Sequence, residues 1–149
     1  MAKKFSKDKK PSVLNTAIEN KRRIENFKTS NFKVSLQDFD SSQKCGSSYR
    51  DWQKCGLLSK MFETLSGYCC RPLLEQVDGA KFTLYGDFPP KERTKFKYPE
   101  HVPEDANWAR IHIEGAAVIA GHVLENTFYI VFLDKCHSFY MTKRKAKIK

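Results

Sequence analysis

Residues 108–140 read WARIHIEGAAVIAGHVLENTFYIVFLDKCHSFY, and this stretch decides the fold. Three runs rich in β-branched and aromatic residues, 108–113, 116–124 and 127–133, are separated by Glu114-Gly115 and Glu125-Asn126, each the right length for a tight hairpin. They predict an antiparallel meander. The run 127–133 is apolar at both alternating positions, which predicts a central strand covered on both sides. Alternation in the first run puts Ala109, Ile111 and Ile113 on the core face and Trp108, Arg110 and His112 on the other. That second face presents a ring, a permanent cation and an imidazole in one row, able to stack a base, neutralise a phosphate and move a proton.

Upstream, residues 31–37 alternate Phe32, Val34 and Leu36 with Lys33, Ser35 and Gln37, the pattern of a half-buried strand. Ser48 followed by Asp51 predicts a capping box, with Asp in place of Glu. The helix it opens has Trp52, Cys55, Leu58, Met61, Phe62 and Leu65 at steps of three and four, is weakened by Gly56, and should stop near Gly67. A further strand is expected over 81–85. The loop 86–105 holds four prolines and a basic cluster, and is too long and too patterned to be a mere connector. Nearer the start, Ser12 should cap a helix reaching Phe27, with Val13, Leu14, Ala17, Ile18, Ile24 and Phe27 apolar. Helices before the sheet define an α+β domain over 31–142, preceded by a basic extension (1–30) and followed by a basic tail (143–149).

The chain of 149 residues suits one domain, and with 40% apolar and 13% aromatic residues it can build a core. No apolar run approaches the roughly 18 to 20 residues of a membrane span, and no apolar segment follows the lysine-rich start to make a signal peptide. A soluble, cytoplasmic protein without membrane partners is expected. The five cysteines, an odd number with no CxxC spacing, suit a reducing compartment and ordinary buried or half-buried thiols; neither a metal site nor a cofactor is expected.

Net charge is +10 and unevenly placed. Residues 1–33 carry ten basic and three acidic groups, 91–97 four and one, and 135–149 six and none, so the rest of the chain is net −6. A mildly acidic body with basic ends and one basic loop points to nucleic acid as partner. Candidate contacts are Lys91, Arg93, Lys95 and Lys97 in the loop, with Lys135, Lys143, Arg144 and Lys145 at the end and Trp108 as a stacking ring. No phosphate-binding glycine loop, serine elbow, HExxH or paired carboxylates appear, and the acids are scattered. Nuclease chemistry would therefore run without metal, on His, Tyr, Arg and Lys. His122, in mid-strand, reads as a structural histidine, and His101 as a loop residue.

The stretch 108–140 resembles the closing meander of the RelE/ParE toxin superfamily. There a strand with basic residues, a Gly-containing turn, an apolar strand and a final strand lead into a basic or histidine-bearing segment and an aromatic. It is also similar to a group of bacterial proteins ending in FYIVFLD-x-x-H-x-(F/W/Y). The order of strand, helical region and meander is the one this family requires. Many family nucleases carry Arg early in the second meander strand, where this chain has Ala116, Ala117 and Val118. Arg110, His137 and Tyr140 fall where the family pattern places functional groups.

The resemblance implies a RelE-like fold, with N-terminal helical segments packed on an antiparallel sheet. The activity it implies is that of an mRNA interferase toxin of a toxin–antitoxin or defence system, acting on free or ribosome-bound mRNA and held by an acidic antitoxin. A ParE-like gyrase inhibitor is another outcome on the same fold. The roles expected are Arg110 as phosphate stabiliser, His112 or His137 as general base or acid, and Tyr140 as acid or stacking ring. The alternative is a noncatalytic nucleic-acid-binding or protein-interaction module built on the basic ends.

Overall fold

A computed structural model describes residues 30–142 and the single position Ile18. The rest of the helix expected over 12–27, and Lys143, Arg144 and Lys145, lie outside the described residues. The chain forms β1 (Lys33–Ser35), α1 (Tyr49–Lys54), α2 (Leu57–Tyr68), β2 (Phe82–Gly86), β3 (Asn107–Glu114), β4 (Ala117–Leu124) and β5 (Thr127–Asp134). The strands make one sheet in the order β1-β5-β4-β3-β2, with β3, β4 and β5 as the expected meander. The α+β class holds. The sheet is mixed rather than wholly antiparallel, because β1 runs parallel to β5, Val34 opposite Phe128. Alternation reveals which side of a strand faces inward but not its direction, and a parallel pair needs only a long connection, which all the intervening chain supplies.

The capping box at α1 is present in full: Ser48 Oγ accepts from the Asp51 amide at 3.1 Å, and Asp51 Oδ2 accepts from the Ser48 amide at 3.0 Å. The single helix expected after it is two. Gly56 sits at φ +79°, a left-handed conformation that ends α1 and starts α2 in a new direction. From there α2 continues through Gly67 to Tyr68. Trp52 of α1 and Met61 and Leu65 of α2 then share one core with Phe32, Phe82, Ile111, Ile119, Phe128, Ile130 and Leu133.

Alternate residues of the same strands build a second core on the opposite face. Trp108, Ala120, Val131 and Phe132 meet Phe96 and Val102 of the long loop and Phe139 of the C-terminal segment. The loop is thus a cover. Its segment 95–97 puts Phe96 inward and Lys95 and Lys97 outward, and the Lys95 amide donates to the Ser138 carbonyl at 3.0 Å. Burying each ring contributes about 1.5–3 kcal/mol, so this face is closed by a substantial apolar layer. Trp108, expected on an open face, is fully buried under it.

A bulge between β4 and β5 lets both Val131 and Phe132 enter the second core, since Ala120 pairs with Phe132 but Gly121 already pairs with Ile130. The strands approach so closely there that a Cβ on Gly121 would lie 1.9 Å from the Tyr129 carbonyl oxygen. The cysteines depart from expectation: Cys55, Cys69, Cys70 and Cys136 are exposed thiols and only Cys45 is half-buried, because the four sit at helix ends and in a turn. Among the described residues no helix is long and apolar enough to cross a membrane.

Gly121→Ala should destabilise the domain by about 3 kcal/mol or more, since the clash is with backbone that cannot step aside. Gly67→Ala, whose Cβ would meet nothing within 4 Å, should leave stability unchanged or raise it by about 0.5 kcal/mol. Urea denaturation midpoints of the two variants check both.

Candidate functional site

The sequence row Trp108, Arg110, His112 does face one side of β3, but its members meet different surroundings. Arg110, half-buried, lies between Thr83 of β2 and Ala120 of β4. Its Nε donates to the Tyr85 hydroxyl at 2.8 Å and its Nη1 to the Ala80 carbonyl at 3.1 Å. Tyr85 is the extra residue of a bulge in β2, where the register shifts between Leu84 and Gly86, and this aims its ring over the sheet. Burial pushes the Tyr85 phenol up, against the pull of Arg110, so at neutral pH it remains a neutral hydroxyl.

Tyr140 packs against Tyr85 with ring centroids 4.6 Å apart and planes tilted by 36°, and the Arg93 guanidinium lies 5.4 Å from the Tyr140 centroid. Arg93 is fixed by its own bonds: Nε donates to the Met141 carbonyl at 2.8 Å, and the Met141 amide donates back to the Arg93 carbonyl at 2.7 Å. Four half-buried side chains from four segments thus form a chain, Arg110–Tyr85–Tyr140–Arg93. Two cations flank two phenols. Of these, the sequence pointed to Arg110, Arg93 and Tyr140. It missed Tyr85, for which the alternation Phe82, Thr83, Leu84, Tyr85 before a glycine was the only signal.

What holds Tyr140 there is Asp134, fully buried at the end of β5. Its Oδ1 accepts from the Ser138 amide at 2.9 Å and its Oδ2 from the Phe139 amide at 2.7 Å. These bonds close the turn 135–139, with His137 at φ +60°, so that Phe139 enters the core and Tyr140 reaches Tyr85. His112 stands two residues from Arg110 on the same face, and its Nε2 meets the Gly115 carbonyl oxygen at 2.8 Å. His137 is half-exposed beside Asp134. Lys91, Lys95 and Lys97 are exposed on the loop. Lys135 instead stands near Asp51, where it adds to the two Ser48 hydrogen bonds that hold that carboxyl below its ordinary value.

His122 is the buried structural histidine that the sequence suggested. Its Nε2 lies 2.8 Å from Asp38 Oδ2 and its ring stacks nearly parallel on Tyr129 at 4.6 Å. His101 joins the same point through the Asp38 carbonyl oxygen at 2.7 Å, so Asp38 ties the loop to the sheet. Among the described residues, no three His, Cys, Asp or Glu side chains gather as a metal-binding group. Comparisons with protein-family models, curated proteins and solved structures found no match for this chain.

Burial pushes the Asp134 carboxyl above its ordinary value, against the pull of the Ser138 and Phe139 amides. A group that holds its proton more tightly when folded loses stability for the fold as pH rises between its unfolded and its folded pKa. The stability difference between Asp134→Asn and the parent should therefore move in the variant's favour as pH rises from about 4 through that window. Chemical denaturation at a series of pH values checks the sign. Asp134→Ala, which leaves two buried amides without acceptors, should cost about 2–4 kcal/mol near pH 4.

Proposed function

We propose that this domain is a metal-independent endoribonuclease of the RelE-like toxin class, working at the Arg110–Tyr85–Tyr140–Arg93 cluster. The observation that carries the reading is this convergence: two fixed guanidinium groups flank two phenol rings. Arg110 and Arg93 neutralise a phosphate and the charge that grows on it during transfer. His112 draws the proton from the ribose 2′-hydroxyl, the 2′-oxygen forms a bond to phosphorus, and the bond to the 5′-oxygen breaks. Tyr140 or His137 gives that leaving oxygen its proton, leaving a 2′,3′-cyclic phosphate. Lys91, Lys95 and Lys97, exposed along the loop, extend the contact to neighbouring phosphates, with Lys143, Arg144 and Lys145 beyond.

The strand, helices and meander in that order also support the RelE-like reading. It carries with it a cytoplasmic setting, free or ribosome-bound mRNA as substrate, and an acidic antitoxin over the basic face. One observation favours a second reading, a noncatalytic nucleic-acid-binding module: Arg110 and His112 already make hydrogen bonds inside the protein.

The test is incubation of a mixed RNA pool with purified protein in EDTA, with and without ribosomes. Cyclic-phosphate ends are expected, with cleavage falling about a hundredfold or more in His112→Ala and Arg110→Ala while RNA binding is largely kept. Binding that weakens steeply with salt and yields no product in either setting would overturn the catalytic reading and leave the module.

A further inference from the structure

Two adjoining hollows lie between the segment 39–45 and the segment 95–101. One, of about 370 Å³, is lined by Phe39, Asp40, Ser42, Tyr98, Pro99 and His101, among others including Glu100. The other, of about 360 Å³, is lined by Lys44, Cys45 and Lys95. Gln43 and Lys97 line both. Each volume lies at the lower end of the roughly 300–1,000 Å³ usual for small-ligand sites.

The ridge between them is built rigidly. The Gln43 side chain pairs with the Lys97 backbone in both directions, Nε2 donating to the carbonyl and Oε1 accepting from the amide, each at 2.8 Å. The walls are fixed as well. Tyr98 donates its hydroxyl to the Pro103 carbonyl, Phe39 stacks on Tyr49 at 4.1 Å, and His101 is held at the Asp38 carbonyl. These rings offer flat faces that need not be ordered when something binds.

The two hollows differ in charge, since Lys97 lines both but only the larger has carboxylates. The smaller one is flanked by three ammonium groups, Lys44, Lys95 and Lys97. The larger one holds the carboxylates Asp40 and Glu100. Asp40 Oδ1 accepts from the Ser42 amide at 2.8 Å and the Ser42 hydroxyl at 2.6 Å, which fixes the carboxylate at the edge of this hollow. Burial tends to raise this carboxyl, but the Ser42 bonds, together with the Gln43 side chain and the nearby His101, outweigh it and hold the group below its ordinary value.

We propose that the two hollows form a subsite for one guanine nucleotide, its phosphate among Lys44, Lys95 and Lys97 and its base between Phe39 and Tyr98 with the N–H edge at Asp40. A carboxylate can only accept, so it selects the base whose edge donates. Guanine alone offers two adjacent donors, N1–H and the 2-amino group, on its Watson–Crick edge, which suits a carboxylate. Uracil offers a single N3–H between two carbonyl oxygens, and adenine and cytosine a single amino donor beside a ring-nitrogen acceptor. The inference deepens the RNA reading above and rests on it for its biological substrate, but binding of a free nucleotide can be measured without any cleavage.

The experiment is titration of the full-length ¹⁵N-labelled protein with guanosine, adenosine, cytidine and uridine 5′-monophosphates and with ribose 5-phosphate, followed by amide shifts and dissociation constants. The guanine nucleotide should shift amides of 40–45 and 95–101 and bind at least tenfold more tightly than the uridine nucleotide or ribose 5-phosphate. Asp40→Asn should abolish that preference and leave the ribose 5-phosphate affinity in place, Lys97→Ala should weaken all five probes alike, and Arg110→Ala should change none. Equal affinity for all five in the wild type, or no shift in these segments, overturns the subsite, and neither result depends on a variant folding. If the preference holds while RNA is not cleaved, the subsite stands and the catalytic reading falls; cleavage with no preference does the reverse.

Discussion

The structure depends on β4 and β5 being apolar on both faces. Ile119, Phe128, Ile130 and Leu133 point one way while Ala120, Val131 and Phe132 point the other, and all are buried. A sheet with this pattern cannot leave a side to water, so the chain must supply two covers. Helices α1 and α2, with the flanking segments, make the first. The second comes from the loop between β2 and β3 and from the segment after β5, whose described residues have no regular structure beyond one short helical turn at Lys91–Arg93.

That second cover creates the candidate site. Irregular segments carry backbone groups that the sheet does not satisfy, and they are tied down by specific bonds: Asp134 to the amides of Ser138 and Phe139, Arg93 to Met141, Gln43 to Lys97. Each tie fixes a charged or aromatic neighbour at the rim. Tyr140 is brought to Tyr85, Arg93 to Tyr140, and Lys95 and Lys97 are turned outward by the burial of Phe96 between them. The acidic body that the charge distribution implied is thus overlaid, on this side, by a loop of basic character.

Buried polar groups divide into two kinds. His122 and Asp38 satisfy each other, and the pair locks the first segment after β1 to the centre of the sheet, with His101 drawing the loop to the same residue. Asp134 accepts the Ser138 and Phe139 amides, but its burial outweighs them and pushes its carboxyl up, while Asp78, exposed and accepting from the Phe82, Ala80 and Lys81 amides, is pulled down.

The sequence by itself determined the meander, its faces and the capped helix start, because these rest on alternation and on Ser48-to-Asp51 spacing, which act over a few residues. It also marked Arg110, Tyr140 and the loop cations as candidates by type. Only the tertiary structure decided that β1 joins β5 in parallel, that Gly56 divides the helix, and that Trp108 lies in a core and not on a surface. The same holds for Tyr85 as the link between Arg110 and Tyr140. For Trp108 and Tyr85 the reason is that a two-residue period tells which side of a strand is apolar, but not whether a distant loop will cover the other side, and that cover is fixed by contacts between segments some 30 to 50 positions apart, such as Arg110 with Ala80 and Arg93 with Met141.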